Sequence, residues 1–150
     1  MGKKKVAVQT AEQAIKASEA VDAKVAQGKG KEGARKFDKG RAYINATYNN
    51  TVVSITEDKG NVVAWASAGS LGFAGPKKAT PFAASKVVAA LAEKLRKSGP
   101  THLDVYVNGV GGGRDSAVRS LANQGFNILS IHDVTPIPHN GPRRAKVRRV

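Results

Sequence analysis

Apolar positions along the chain alternate in some stretches and recur every three to four residues in others, and the switches between the two mark the elements. Residues 43–48 and 52–56 read as strands, joined around Asn49-Asn50, residue types that tolerate turn backbone. Asp58-Lys59-Gly60-Asn61 signals a further turn, and residues 62–67 a third strand. Connections this short predict three antiparallel neighbours. A glycine-rich loop follows over 68–79. Thr80-Pro81 then opens a helix with a hydroxyl cap and proline at the first helical position. Ala84, Val87, Val88, Leu91 and Leu95 make its apolar stripe. Lys94, Arg96 and Lys97 suit its C-terminal dipole, and Gly99-Pro100 stops it. Residues 103–107 predict a fourth strand, 109–113 a glycine loop, 114–124 a second helix closed by Gly125, and 128–134 a fifth strand. Pro136 and Pro138 bar that strand from continuing as an interior one.

The element order is β-β-β-α-β-α-β. It predicts an α/β fold, an antiparallel meander feeding two right-handed crossovers, with a mixed sheet and helices on its faces. That layout is similar to the ribonuclease H-like one. Three segments follow: a basic N-terminal extension over 1–41, a body over 42–138 and a basic tail over 139–150. Within the extension, residues 10–27 have capping-box spacing at Thr10 and Gln13 and a thin apolar face of Ala14, Ala17, Val21 and Val25, enough for a candidate helix. Residues 28–41 read as a flexible basic linker.

Charge sharpens the division. The formal net charge is +14 on 150 residues, and the two extensions hold 16 of the 25 Lys and Arg but only 5 of the 11 acids. The tail alone carries Arg143, Arg144, Lys146, Arg148 and Arg149, no acid and no Phe, Tyr or Trp. Such a segment is ordered by polyanions, chiefly nucleic acid, through counterion release. There is no cysteine, which excludes disulfides, thiolate metal sites and cysteine nucleophiles. No apolar run is long enough for a membrane span. Val6-Ala7-Val8 stops at Gln9-Thr10, too short for a signal-peptide core, and Val6 stands where myristoylation wants Ser or Thr. The expectation is a soluble intracellular chain with no membrane partner.

The sharpest chemical candidate is Gly109-Val110-Gly111-Gly112-Gly113-Arg114, between a strand and a helix. Backbone N–H groups at a helix N-terminus bind phosphate, and Arg114 adds a fork of donors. The alternatives are a tight turn needing glycine for backbone reasons, and a dinucleotide loop. The last wants Gly where Arg114 stands, although Asp133 falls at the spacing of a ribose-binding acid. Lys77 and Lys78 before the first helix are either phosphate contacts or a solvated pair. A metal-dependent nuclease needs converging carboxylates, but Asp104, Asp115 and Asp133 are scattered. His102, His132 and His139 lack metal-ligand spacing; His139, heading the tail, is the one placed to touch RNA. No catalytic set, metal or cofactor is implied. Trp65 reads as core. Tyr43 and Tyr48 differ in parity along the first strand, so only one can face the core, and whichever is outward offers a stacking surface for a base.

Longer motifs carry a family resemblance. They are Tyr48-Asn49-Asn50-Thr51, Ala79-Thr80-Pro81-Phe82-Ala83-Ala84, and the run from Gly125-Phe126-Asn127-Ile128 through Asp133-Val134-Thr135-Pro136-Ile137-Pro138-His139-Asn140-Gly141. From about Ala42 to Val150 the chain resembles the bacterial type of the small ribosomal subunit protein eleven family. The resemblance implies a non-enzymatic constituent of the small-subunit platform that binds small-subunit rRNA and helps shape the mRNA exit cleft. Its implied partners are that rRNA, neighbouring ribosomal proteins of the platform and mRNA, on a cytoplasmic or organellar ribosome. The rRNA contacts carry over to Asn49, Asn50, Lys78 and the loop Gly109–Arg114, chiefly Gly111, Gly112, Gly113 and Arg114; Lys77 and Arg119 join them as candidate rRNA-binding residues. In the tail they carry over to His139, Asn140, Arg143, Arg144, Lys146, Arg148 and Arg149. The chain departs from the family at Pro142, Arg144, Ala145 and Val147, and in the glycine loop at Val110 and Gly112. The rival readings are a non-ribosomal RNA chaperone and a ribonuclease H-like nuclease.

Overall fold

The computed structural model describes residues 38–96, 99–143, 145 and 146, together with Glu19 and Ala23. Apart from those two residues, the candidate helix over 10–27 lies outside the described residues, as do linker positions 28–37 and Lys97, Arg144, Arg148 and Arg149. The elements are β1 (Lys39–Ala46), β2 (Thr51–Glu57), β3 (Val62–Ser67), a 3-10 turn (Gly75–Ala79), α1 (Pro81–Leu95), β4 (His102–Asn108), α2 (Arg114–Asn123) and β5 (Asn127–Asp133). The five strands form one sheet in the order β3-β2-β1-β4-β5. β2 is antiparallel to both its neighbours, whereas β1, β4 and β5 run parallel.

Side-chain alternation decides which face is covered. Ala42, Ile44, Val53, Ile55, Leu103, Val105 and Val107 are buried, while Tyr43, Asn45, Ser54, Tyr106 and Asn108 between them are exposed or half-buried. α1 closes the covered face over β2 and β3 with Val87, Val88, Leu91 and Leu95; α2 closes it over β1, β4 and β5 with Ala117 and Leu121. Both helices therefore share one face rather than being divided between two. The reason is topological: β3 to β4 and β4 to β5 step across the sheet in the same direction, so crossovers of one hand pass over the same side. The Thr80 hydroxyl caps α1 by accepting the Ala83 N–H at 3.3 Å, as Thr80-Pro81 predicted. Gly125 leaves α2 with φ of 90°, a conformation glycine adopts at little cost.

Three expectations need correction. β1 begins at Lys39, inside the presumed linker, because the Asp38 carbonyl accepts the N–H groups of Thr101 and His102 and sets a parallel register with β4. It ends at Ala46, because the Thr47 hydroxyl accepts the Asn50 N–H at 3.0 Å and converts 47–50 into a turn. Tyr48 therefore sits in the turn, 78% exposed, and Tyr43 is 38% exposed, so neither tyrosine is core. Trp65 is likewise outside the core at 56% exposure. Its neighbours Ala64 and Ala66 take the helix-covered face, which leaves Trp65 on the other, opposite Ser54.

Candidate nucleic-acid interface

Because β1, β3, β4 and β5 run the same way, their C-terminal ends share one rim with the start of β2. The 47–50 turn, the 68–80 loop, the glycine loop and the root of the tail all leave from this rim. In open α/β sheets ligands bind outside the carboxyl ends of strands. Both helices also start here, so two N-terminal ends with partial positive charge lie side by side. A hydroxyl ladder ties them: Ser116 donates to the Pro81 carbonyl at 2.9 Å, Ser85 and Ser116 are 3.0 Å apart, and Ser120 donates to Ser85 at 3.0 Å.

Around these ends the predicted residues gather unevenly. Asn49 is exposed in the turn, while Asn50 is half-buried. Lys77 and Lys78 lie in the last turn of the 3-10 segment, which the Thr80 hydroxyl closes by donating to the Lys77 carbonyl at 2.8 Å. The glycine loop lies against the end of β1. A Cβ on Gly109 or Gly111 would collide with the carbonyls of Ala46 or Thr47, and one on Gly113 with the Thr51 hydroxyl. The Gly111 N–H is already given to the Ala46 carbonyl at 2.8 Å. Those three glycines shape the loop by close backbone approach. Gly112 is exposed, with only an ordinary contact to Ala79.

Arg114 turns inward to the loop and the tail root. It pairs with Asp133 at 2.6 Å and donates to the Gly109 carbonyl at 3.1 Å. The Thr135 hydroxyl donates to Asp133 at 2.7 Å and accepts the Gly109 N–H at 3.1 Å. Bonds from Arg114, then from Thr135, hold the Asp133 carboxyl well below the usual carboxylate range. This clamp fixes where the chain leaves the sheet, and it occupies the acid that the dinucleotide reading required. Sequence spacing did not reveal it; the only available hint was the Asp-x-Thr pattern at 133–135, in which the side chain bonds backbone two residues on.

Beyond the rim, Arg119 is exposed on α2, more than a turn from its start. His139, Arg143 and Lys146 are exposed, and Asn140 adopts φ of 52°, which places a bend in the tail. Asp104 lies on the uncovered face, bonded to Ser130 at 2.6 Å and Lys39 at 3.2 Å, away from Asp133. Among the described residues no three His, Asp or Glu side chains converge to hold a metal ion, and no helix is long and apolar enough to cross a membrane.

Residues 40–149 match the model of the family described as Ribosomal protein S11. The small ribosomal subunit protein uS11 of Borreliella burgdorferi (strain ZS7) is 45% identical over 130 residues, which covers 87% of this chain and 100% of that protein. The protein of the same name from Treponema pallidum (strain Nichols) is 50% identical over 111 residues, 74% of this chain and 88% of its own length.

Proposed function

The chain belongs to the ribosomal protein S11 family, and from that premise we propose that it builds the platform of the small ribosomal subunit. It docks on small-subunit rRNA through phosphate contacts and helps form the cleft where mRNA leaves. The family is structural and non-enzymatic, so the chain's work is binding and shape. Its partners are the rRNA, adjacent platform proteins and mRNA near the cleft, on the cytoplasmic ribosome. The strand order β3-β2-β1-β4-β5, with β2 alone reversed, supports reading the body as a ribonuclease H-like layout used for docking.

The observation that carries this reading is the convergence of two helix N-termini, Lys77, Lys78, the exposed Gly112 and the tail root on one rim. Phosphate oxygens are what such donors hold. Asn49, Lys77, Lys78, Gly112, Arg119, His139, Asn140, Arg143 and Lys146 supply direct contacts. Asn50, Gly111, Gly113 and Arg114 set the loops from which those contacts are made. Arg144, Arg148 and Arg149 add charge from the tail.

Two measurements test it. The tagged chain should co-sediment with small-subunit particles; sedimentation as free protein, with equal affinity for unrelated RNAs, would instead indicate an RNA chaperone. Affinity for small-subunit rRNA should fall steeply with salt. Replacing Lys77 and Lys78 with Ala should lower the log–log salt slope by up to about two, near one unit per lost phosphate contact. Salt-independent affinity overturns the phosphate reading.

A further inference from the structure

The uncovered face of the sheet carries a row of rings that the rim does not use. Register aligns Trp65 on β3, Ser54 on β2, Tyr43 on β1, Tyr106 on β4 and His132 on β5. Tyr43 and Tyr106 stack with centroids 5.1 Å apart and planes 18° apart; Tyr106 and His132 stack at 5.1 Å and 25°. These three rings stand on edge and spend their inner faces on one another. On the β2 side of Tyr43 the row changes, because Ser54 is small and the next ring, Trp65, is two strands away. Strand spacing puts those two positions roughly 9–10 Å apart. An unpaired base is held by stacking on an aromatic face, and a gap of two strand spacings with a small residue in the middle leaves space beside both rings. Trp65 and Tyr43, both exposed to solvent, thus flank the small Ser54 on this face.

The flanks of this gap match a nucleotide. Two residues toward the start of β1, on the same face as Tyr43, is Arg41, which meets Asp58 at 4.0 Å on an exposed turn. In the other direction the row of Asn45, Asn108 and Ser67 offers amides and a hydroxyl, and it leads directly to the 47–50 turn and the glycine loop. A strand whose phosphates lie on the rim therefore runs onto this face without a break. The row holding Tyr43 and Trp65 contains no carboxylate. Ring faces, one flanking guanidinium and neutral hydrogen-bonding groups are the chemistry that holds an unpaired base and its phosphate.

We propose that the uncovered sheet face takes an unpaired nucleotide of single-stranded RNA, its base between Tyr43 and Trp65 over Ser54 and its phosphate on Arg41. The proposal rests on the reading that the chain binds rRNA, and it adds a stacking site to the phosphate-binding rim. Trp65 is the only tryptophan in the sequence, so its fluorescence reports this site alone.

The full chain is titrated with a single-stranded oligoadenylate, with an RNA duplex of the same length, and with small-subunit rRNA. Quenching of Trp65 by the single strand and not by the duplex is expected. Trp65→Ala should weaken single-strand binding about tenfold, the loss typical of one stacked base, and leave duplex binding unchanged. Ser54→Leu keeps both rings but fills the gap between them, and should abolish the quench. If rRNA binds while Trp65 stays silent and Trp65→Ala changes nothing, the stacking site is overturned and the rRNA reading stands. If none of the three RNAs binds, the rRNA reading itself falls.

Discussion

The covered face of the sheet and the rim at its strand ends are made from the same strands yet obey opposite rules. On the face, Ala, Val, Ile and Leu are removed from water, and volume-conserving apolar swaps are the ones tolerated best. On the rim, position matters more than volume. Gly111 is needed because a backbone carbonyl occupies the space of its missing side chain, and Thr135 because one oxygen serves three partners, Gly109, Arg114 and Asp133. The difference teaches that stability and binding can be separated by substitution almost everywhere except where the glycine loop joins the two.

Leu91→Ala should have the largest effect. The side chain is fully buried, so removal costs about 2–5 kcal/mol in urea unfolding, with rRNA affinity of the remaining folded protein unchanged. A loss of affinity matching the loss of stability would erase the division between face and rim. Next comes the junction. Gly111→Ala forces the loop off β1 and should cost about 1–3 kcal/mol, the range for strained backbone, while also weakening rRNA binding. Gly112→Ala, which meets only an ordinary contact, should leave stability within ~0.5 kcal/mol. Equal effects from the two glycines would mean that the loop does not rest on β1.

The smallest effect is on pH dependence. Asp133 is held below the usual carboxylate range in the folded state, so it stabilises the fold above its unfolded pKa of about 3.9. That contribution is lost as pH falls below about 4 toward the lower folded value. Asp133→Asn should flatten the acid limb of a stability profile and leave neutral-pH stability slightly lower. An unchanged acid limb would show that the clamp contributes nothing to folding.

Elements governed by local chemistry were readable from the sequence. Thr80-Pro81 and the stripe from Ala84 to Leu95 specify α1 within a turn of chain, and β3 has its expected bounds. What escaped depended on distant partners. The start of β1 is set by Asp38 meeting Thr101 and His102, more than sixty residues on. The face taken by Trp65 follows from where α1 packs, which alternation in β3 alone does not specify. Within the candidate interface, the position of the glycine loop was readable, but not the division of labour inside it. Arg114 carried the signature of a phosphate fork; its commitment to Asp133 needs β5 brought alongside β4.

The Thr135 hydroxyl and the parallel pairing of β5 with β4 also set how the tail bears force. A pull on the tail runs along β5, so it loads the β4–β5 hydrogen bonds in shear, together with the Arg114–Asp133 pair and the Gly109–Thr135 bond. Bonds loaded in this way must yield together instead of unzipping one at a time. A tail seized by a large moving particle would tug on the whole sheet before it tore free.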